Sequence, residues 1–198
     1  MDKKRVAITG GIGSGKSTLL QRLNEMGYET FSCDNIYKEI TELPSYIKAI
    51  KQLFPEAVVD EKIDKKILGK IIFNNEKKRN QLNAVAHPLV MNSLLTQMNN
   101  SASKTVFAEV PLLFEGGFEN LFDNVIYVQR DINERIRAVF ERDKIPIEEI
   151  EKRIRSQFDP NSNSGKIRLL QTNALILENN GTKEGIERMI KQIMKHLS

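Results

Sequence analysis

Gly10-Gly-Ile-Gly-Ser-Gly-Lys-Ser17 is the stretch that leaves this chain least freedom. Glycines at 10, 11, 13 and 15 let the backbone turn tightly and aim several N–H groups at one point. The flanks matter as much as the glycines. Arg5 to Thr9 is a short apolar, β-branched run that predicts a buried strand, and Lys16 to Met26 carries Leu19, Leu20 and Leu23 at helical spacing. Strand, glycine turn and helix around Gly-x4-Gly-Lys-Ser make the phosphate-binding loop pattern; a chance glycine turn would not need those flanks. The helix adds its positive end. Lys16 adds a mobile full charge for β- and γ-phosphates, and the Ser17 hydroxyl suits one oxygen position of Mg²⁺. The expected ATP-binding residues are therefore Gly11, Ile12, Gly13, Ser14, Gly15, Lys16, Ser17 and Thr18.

That loop dictates the architecture around it. Gly27 closes the first helix and Tyr28 to Ser32 reads as a second strand, so the unit is βαβ and the sheet parallel. Further strands are predicted at 104–109, 124–129 and 174–178, with a last helix from Thr182 to Leu197. The expectation is an α/β fold with a five-stranded parallel sheet flanked by helices. Ligands of such sheets bind beyond the carboxyl ends of the strands, which singles out Asp34, Glu109 and Asn179. Asp34 suits an acid/base or hydroxyl-orienting group, or an N-cap for a helix at 35–41. Glu109 is placed to support a Mg²⁺ shell. Pro111, Leu112, Leu113 and Phe114 follow a strand tip and are expected to wall a pocket; Asn179 could meet the nucleotide base or simply form a turn.

Two helical additions interrupt this core. Between 35 and 99 the pattern gives helices at 35–41, 45–54, 65–73 and 76–99 and no strand, a natural place for a second substrate. His87-Pro88 is expected to kink or break the last of these helices at Ala86-His87, with His87 either a donor to a substrate phosphate or sugar or a partly exposed histidine at the kink. After the fourth strand, helices at 131–143 and 146–157 form an arginine-rich hairpin, followed by a polar loop at 158–165. Arg142 is singled out there as the residue that reaches a moving phosphoryl group. The domain plan is a single unit over 1–198, its core at about 1–34, 104–130 and 174–198, a substrate subdomain at about 35–99 and a lid at about 131–165.

Composition removes competing classes. The 198 residues suffice for one packed domain with insertions, and no apolar run approaches the roughly 20 residues of a membrane span. Cys33 is the single cysteine, and His87 and His196 are too few and too distant for a zinc motif. The net charge of +4 suits anionic ligands, but there is no basic-aromatic cluster and no Trp, so nucleic acid is not an expected partner. The Asp-x-x-Gly and Asn-Lys-x-Asp signatures of GTP switches and the Leu-Ser-Gly-Gly of transporters are absent from the sequence. Met1-Asp-Lys-Lys-Arg5 carries no apolar signal region, giving an expectation of a cytoplasmic protein, monomeric or a small homo-oligomer, with no membrane partner. A small-molecule kinase is the leading class; a nucleotide-dependent binding module is the alternative, and ATP turnover without an acceptor would favour the latter.

Seven segments together resemble the dephospho-coenzyme A kinase family. They are the glycine loop, Cys33-Asp34, Leu82-Asn-Ala-Val-Ala-His-Pro-Leu-Val90, Val110-Pro-Leu-Leu-Phe-Glu115, Glu141-Arg-Asp143, Arg153-Ile-Arg-Ser-Gln157 and Asn179-Asn-Gly181. The His-Pro and Pro-Leu-Leu-Phe-Glu segments are the specific ones. The resemblance implies a P-loop kinase fold with a helical substrate domain and a lid. It implies ATP-dependent phosphorylation of the 3′-hydroxyl of dephospho-coenzyme A, the last step of coenzyme A synthesis. Asp34 would orient that hydroxyl, Lys16 and Ser17 would hold phosphate and Mg²⁺, His87 and Pro111 to Leu113 would meet the coenzyme, and Arg142 would reach the ATP phosphates. Ser32, Lys65 and Ala138 stand where the family often has Asp, Arg and Arg. A kinase for another nucleotide or small hydroxyl compound is the alternative within the same fold.

Overall fold

The computed structural model describes residues 3–73 and 75–198; Met1, Asp2 and Asn74 lie outside the described residues. The chain forms two compact units. One takes the chain up to Phe31 together with Ser101–Ser198, the other takes Ser32–Asn100.

The first unit is built on a five-stranded sheet of order β2-β5-β1-β6-β7. Its strands are β1 (Lys4–Thr9), β2 (Glu29–Ser32), β5 (Thr105–Glu109), β6 (Asn124–Gln129) and β7 (Leu175–Glu178). β1 is central and runs parallel to both β5 and β6, and β7 parallel to β6. A strand covered on both faces has no polar side to show, and β1 accordingly buries every residue from Val6 to Thr9. Helices α1 (Lys16–Glu25) and α9 (Lys183–Leu197) supply Leu19, Leu23, Met189 and Ile193 to a core shared with Ile8, Phe107, Ile126 and Leu177 of the sheet. The Tyr28 ring meets Phe107 edge-on, 5.4 Å between centroids.

Parallel register puts the ends of these strands on one edge. Ile8 lies opposite Glu109, Thr9 opposite Tyr127, and Gln129 opposite Glu178. The loop at 10–15, the 109–111 turn, Arg130 and Asn179 therefore leave the sheet side by side. The opposite edge is fastened at Arg5 and Asp123. Asp123 Oδ2 accepts from the Arg5 amide (2.8 Å) and Nε (3.2 Å), and the Asp123 amide donates to Arg5 O (2.9 Å). Burial works to raise the Asp123 carboxyl pKa, but the bonds from Arg5 outweigh it and hold the group below its ordinary value. A depressed folded-state pKa means that this contribution is complete above the unfolded value and lost as pH falls through the folded one. Asp123→Asn is expected to lower stability by about 1 kcal/mol at neutral pH, and the gap in urea midpoints should narrow below about pH 4.

Three helices lie between β6 and β7 in this unit. Asp131 caps α6 (Ile132–Asp143), its side chain accepting from the amides of Asn133 (2.9 Å) and Glu134 (3.2 Å). α7 (Ile147–Arg155) packs back against it. The predicted polar loop at 158–165 ends early, because α8 (Asn163–Gln171) starts inside it, with the Ser162 hydroxyl accepting from Gly165 N at 3.0 Å.

The second unit contains α2 (Cys33–Ile40), α3 (Pro44–Leu53), α4 (Lys65–Phe73) and α5 (Glu76–Asn100), with α5 packing on α2, α3 and α4. It also holds a small antiparallel hairpin, β3 (Val58–Val59) and β4 (Lys62–Ile63), where no strand is expected from the sequence. Asp60 and Glu61 both take positive φ (49° and 56°), the pairing a two-residue hairpin turn of matching twist requires. α5 continues through Pro88 rather than breaking at Ala86-His87. Proline inside a helix costs about 3 kcal/mol, and here Leu82, Ala86, Val90, Met91 and Leu94, buried on both sides of it, offset that cost.

Candidate active site

The loop at 10–15 is set by its own glycines and by groups behind it. Gly15 ends the loop with φ of 95° and stands at the N-cap position of α1. A Cβ there would lie 2.1 Å from Asn179 Nδ2. That approach is used: Asn179 Nδ2 donates to Ser14 O at 2.7 Å, while Asn179 Oδ1 accepts from Gly181 N at 2.8 Å. Asn179 is buried, with both ends of its amide engaged within the protein. The residue braces the loop and closes the turn at 179–181, the turn-forming alternative read from the sequence.

Lys16 is 7% exposed and its Nζ donates to Gly11 O at 3.0 Å, so the charge lies folded across the loop mouth. Ser17 and Thr18 are exposed in the first turn of α1. The Ser17 hydroxyl donates to Glu109 Oε1 at 2.9 Å, and Glu109 is buried at the tip of β5. A hydroxyl and a carboxylate brought together beside a phosphate loop are hard oxygen donors of the kind a divalent cation takes. No cluster of three or more His, Cys, Asp or Glu that could hold a metal ion occurs among the described residues.

Along α6 and the segment after α7 the structure changes the emphasis. Arg142 is exposed and forms a two-pronged pair with Asp143, Nε to Oδ1 at 2.7 Å and Nη2 to Oδ2 at 2.8 Å. Asp143 raises the Arg142 pKa, with a smaller contribution from the charge of Glu109. The arginine on the loop is Arg135, which donates from Nε to Ile12 O at 2.8 Å and from Nη2 to Gln157 Oε1 at 3.4 Å. Burial lowers its pKa. In turn, Gln157 Oε1 accepts from Ile12 N at 2.8 Å. Both residues lie in stretches read from the sequence as lid, and Gln157 ends a family-like segment, but nothing there marks either as a partner of the loop.

Beside the loop opens a cleft of about 680 Å³, lined by Gly11, Ser14, Tyr127, Arg130, Arg135 and Phe158 among others. The buried Ser14 hydroxyl has no hydrogen-bond partner and lines this cleft. Burial pushes the Tyr127 phenol up to about 12. The apolar segment after β5 is split: Leu112 is exposed and Pro111 half-buried, but Leu113 and Phe114 are sealed inside. Leu113 thus fills core where a pocket wall was expected, because the turn at 111–117 folds its side chain inward. In the second unit, Ser32 is the N-cap position of α2 and makes no side-chain cap bond, while Asp34 sits exposed in the first turn. The N-cap alternative for Asp34 is therefore not what the helix uses. His87 is half-exposed on α5.

Comparison with known proteins places this arrangement. A family model described as Dephospho-CoA kinase (CoaE) matches residues 4–184. A Dephospho-CoA kinase of Fusobacterium nucleatum is 34% identical over 189 residues, 94% of this chain and 95% of that protein. A crystal structure of a Thermus thermophilus protein superposes with a TM-score of 0.84 at 32% identity, covering all of both chains. The shikimate kinase of Acinetobacter baumannii, solved with shikimate, shares the fold alone, with a TM-score of 0.57, 15% identity and coverage of 98% and 94%.

Proposed function

The chain belongs to the dephospho-coenzyme A kinase family, and from that premise we propose that it transfers the terminal phosphoryl group of ATP to the 3′-hydroxyl of dephospho-coenzyme A, giving coenzyme A and ADP, the last step of coenzyme A synthesis. The observation that carries this reading is the loop itself: Lys16, the glycine turn and the Ser17–Glu109 pair meet at the carboxyl edge of a parallel sheet.

The acceptor oxygen attacks the terminal phosphorus, the bond to the ADP oxygen breaks, and the hydroxyl proton leaves to a base. Phosphoryl transfer asks the protein for position and charge more than for covalent chemistry. The amides of the loop and the N-terminus of α1 cradle the β- and γ-phosphates. Lys16 leaves Gly11 O to follow the phosphate charge. The nucleoside end lies in the cleft beside Tyr127 and Arg130, where the free Ser14 hydroxyl supports a polar ligand. Ser17 and Glu109 fit a divalent cation, Mg²⁺ by the preference of oxygen donors, and when bound it neutralises phosphate charge. Asp34 orients the acceptor hydroxyl and takes its proton, His87 and the exposed Leu112 with Pro111 meet the coenzyme, and Arg142 exchanges Asp143 for phosphate.

The test is ADP formation from ATP and Mg²⁺ with and without dephospho-coenzyme A. Strong stimulation, with coenzyme A as the product, is the expected result. Absence of stimulation would remove the acceptor from this reading.

A further inference from the structure

Ile12, at the tip of the phosphate loop, has both of its peptide groups held by side chains from outside the loop. Its N–H donates to Gln157 Oε1 at 2.8 Å, and its carbonyl accepts from Arg135 Nε at 2.8 Å. The two outside groups also touch each other, Arg135 Nη2 to Gln157 Oε1 at 3.4 Å. Three bonds thus close a small ring through α6, the segment after α7 and the loop. Gly11 is part of the fit: a Cβ there would lie 2.1 Å from Arg135 Nη2.

The Gln157 end of this ring is anchored from behind. The next residue, Phe158, stacks on Phe114 with centroids 4.2 Å apart and planes 15° from parallel, and stands near-edgewise to Tyr127 at 5.9 Å. The Phe158 amide donates to Glu115 Oε1 at 2.8 Å. Arg168 of α8 lies over both phenylalanine rings, 5.2 and 5.8 Å from their centroids, and is fixed by Glu119 at 2.5 Å. The backbone that presents Gln157 is therefore fastened to the core through an aromatic stack and a cation over its face. An amide side chain on an anchored backbone has little freedom to lose when it meets the loop.

We propose that Gln157 is a positioning residue of the phosphate loop, which with Arg135 fixes the peptide groups of Ile12 before the nucleotide arrives. This rests on the reading of the loop as the ATP site. Gln157 supplies what the site needs there: an acceptor for the Ile12 N–H that adds no negative charge next to phosphate. Without it, ATP has to order the loop tip itself, and affinity falls.

The experiment pairs ATP titration by calorimetry with the backbone amide spectrum of ¹⁵N-labelled protein. Gln157→Met keeps the length of the side chain and removes the acceptor; Gln157→Glu keeps the acceptor and adds charge. Gln157→Met is expected to shift the Ile12 amide proton upfield, speed its hydrogen exchange and raise the ATP dissociation constant about five-fold, with the thermal midpoint held. Gln157→Glu should keep the Ile12 amide close to its wild-type position. An Ile12 amide unmoved in Gln157→Met overturns the clasp, and a moved amide with unchanged ATP affinity overturns its role in positioning. Failure of the wild-type chain to bind ATP would bring down the nucleotide reading instead, and the Ile12 resonance would still decide whether Gln157 holds the loop.

Discussion

Lys16→Ala is expected to lower kcat at least about a thousand-fold while leaving the fold in place. Removal of a single preorganised donor to developing charge costs a factor of 10² to 10³ in rate, and Lys16 carries a full charge. Its environment strengthens the effect. The side chain is almost wholly buried and bonded to the Gly11 carbonyl, so the charge is stored within the loop rather than in water. Alanine is the best helix former, so α1 should survive the change at its first residue. Turnover by the purified variant, with its circular dichroism and thermal midpoint as controls, is the measurement. Activity within tenfold of wild type, on a folded variant, would mean that the loop does not use this charge in the reaction.

Asp34→Asn is expected to keep ATP binding and lose turnover by a factor of about 10² to 10⁴, the range of a positioned general base. The change is isosteric and the position exposed, so folding should be undisturbed. It also keeps a residue tolerated in the first turn of α2, though the favourable carboxylate at a helix N-terminus is lost. The discriminating comparison is single-turnover phosphoryl transfer against ATP affinity measured on the same preparation. Near-normal transfer would take Asp34 out of the chemistry. Loss of ATP affinity in step with rate would instead assign it to nucleotide binding.

The sheet could be read from the sequence because each of its strands is a short apolar run between clear stops. β6 falls at 124–129 as expected, and the ends of β1, β2, β5 and β7 shift by a single residue. The misses lack a clean local signature. α8 opens with Asn163, Ser164 and Gly165, poor helix formers, and leaves Leu170 80% exposed, so it shows no clean stripe. What holds it includes Arg168 on Glu119, a contact 49 residues away. The hairpin at 58–63 has strands of two residues each, too short for an alternation to show. At Pro88 tertiary packing overrides the local signal for a helix break.

The site follows the same division. Lys16, Ser17 and the glycines are adjacent in sequence, so their chemistry is legible as a pattern. Arg135 stands among several arginines of one hairpin, and only the fold distinguishes the one that meets Ile12 from the one that meets Asp143. Asn179 was legible as a strand-tip residue, but its partner Ser14 lies 165 residues away. Leu113 and Leu112 are neighbours of the same type, and the turn at 111–117 sends one inward and the other out.

The order of strands also bears on how the chain acquires this site as it is made. β1 is the third strand of five across the sheet, and both of its neighbours, β5 and β6, come after residue 100. A growing chain that has reached Asn100 possesses the whole of Ser32–Asn100, yet the strand that leads into the phosphate loop has no partner on either side. Closing that separation costs entropy before any ladder bond forms, which makes the central pairing late and slow. Ribosome-bound chains are therefore expected to present a folded helical unit first and to gain nucleotide affinity only when the strands at 105–109 and 124–129 have emerged.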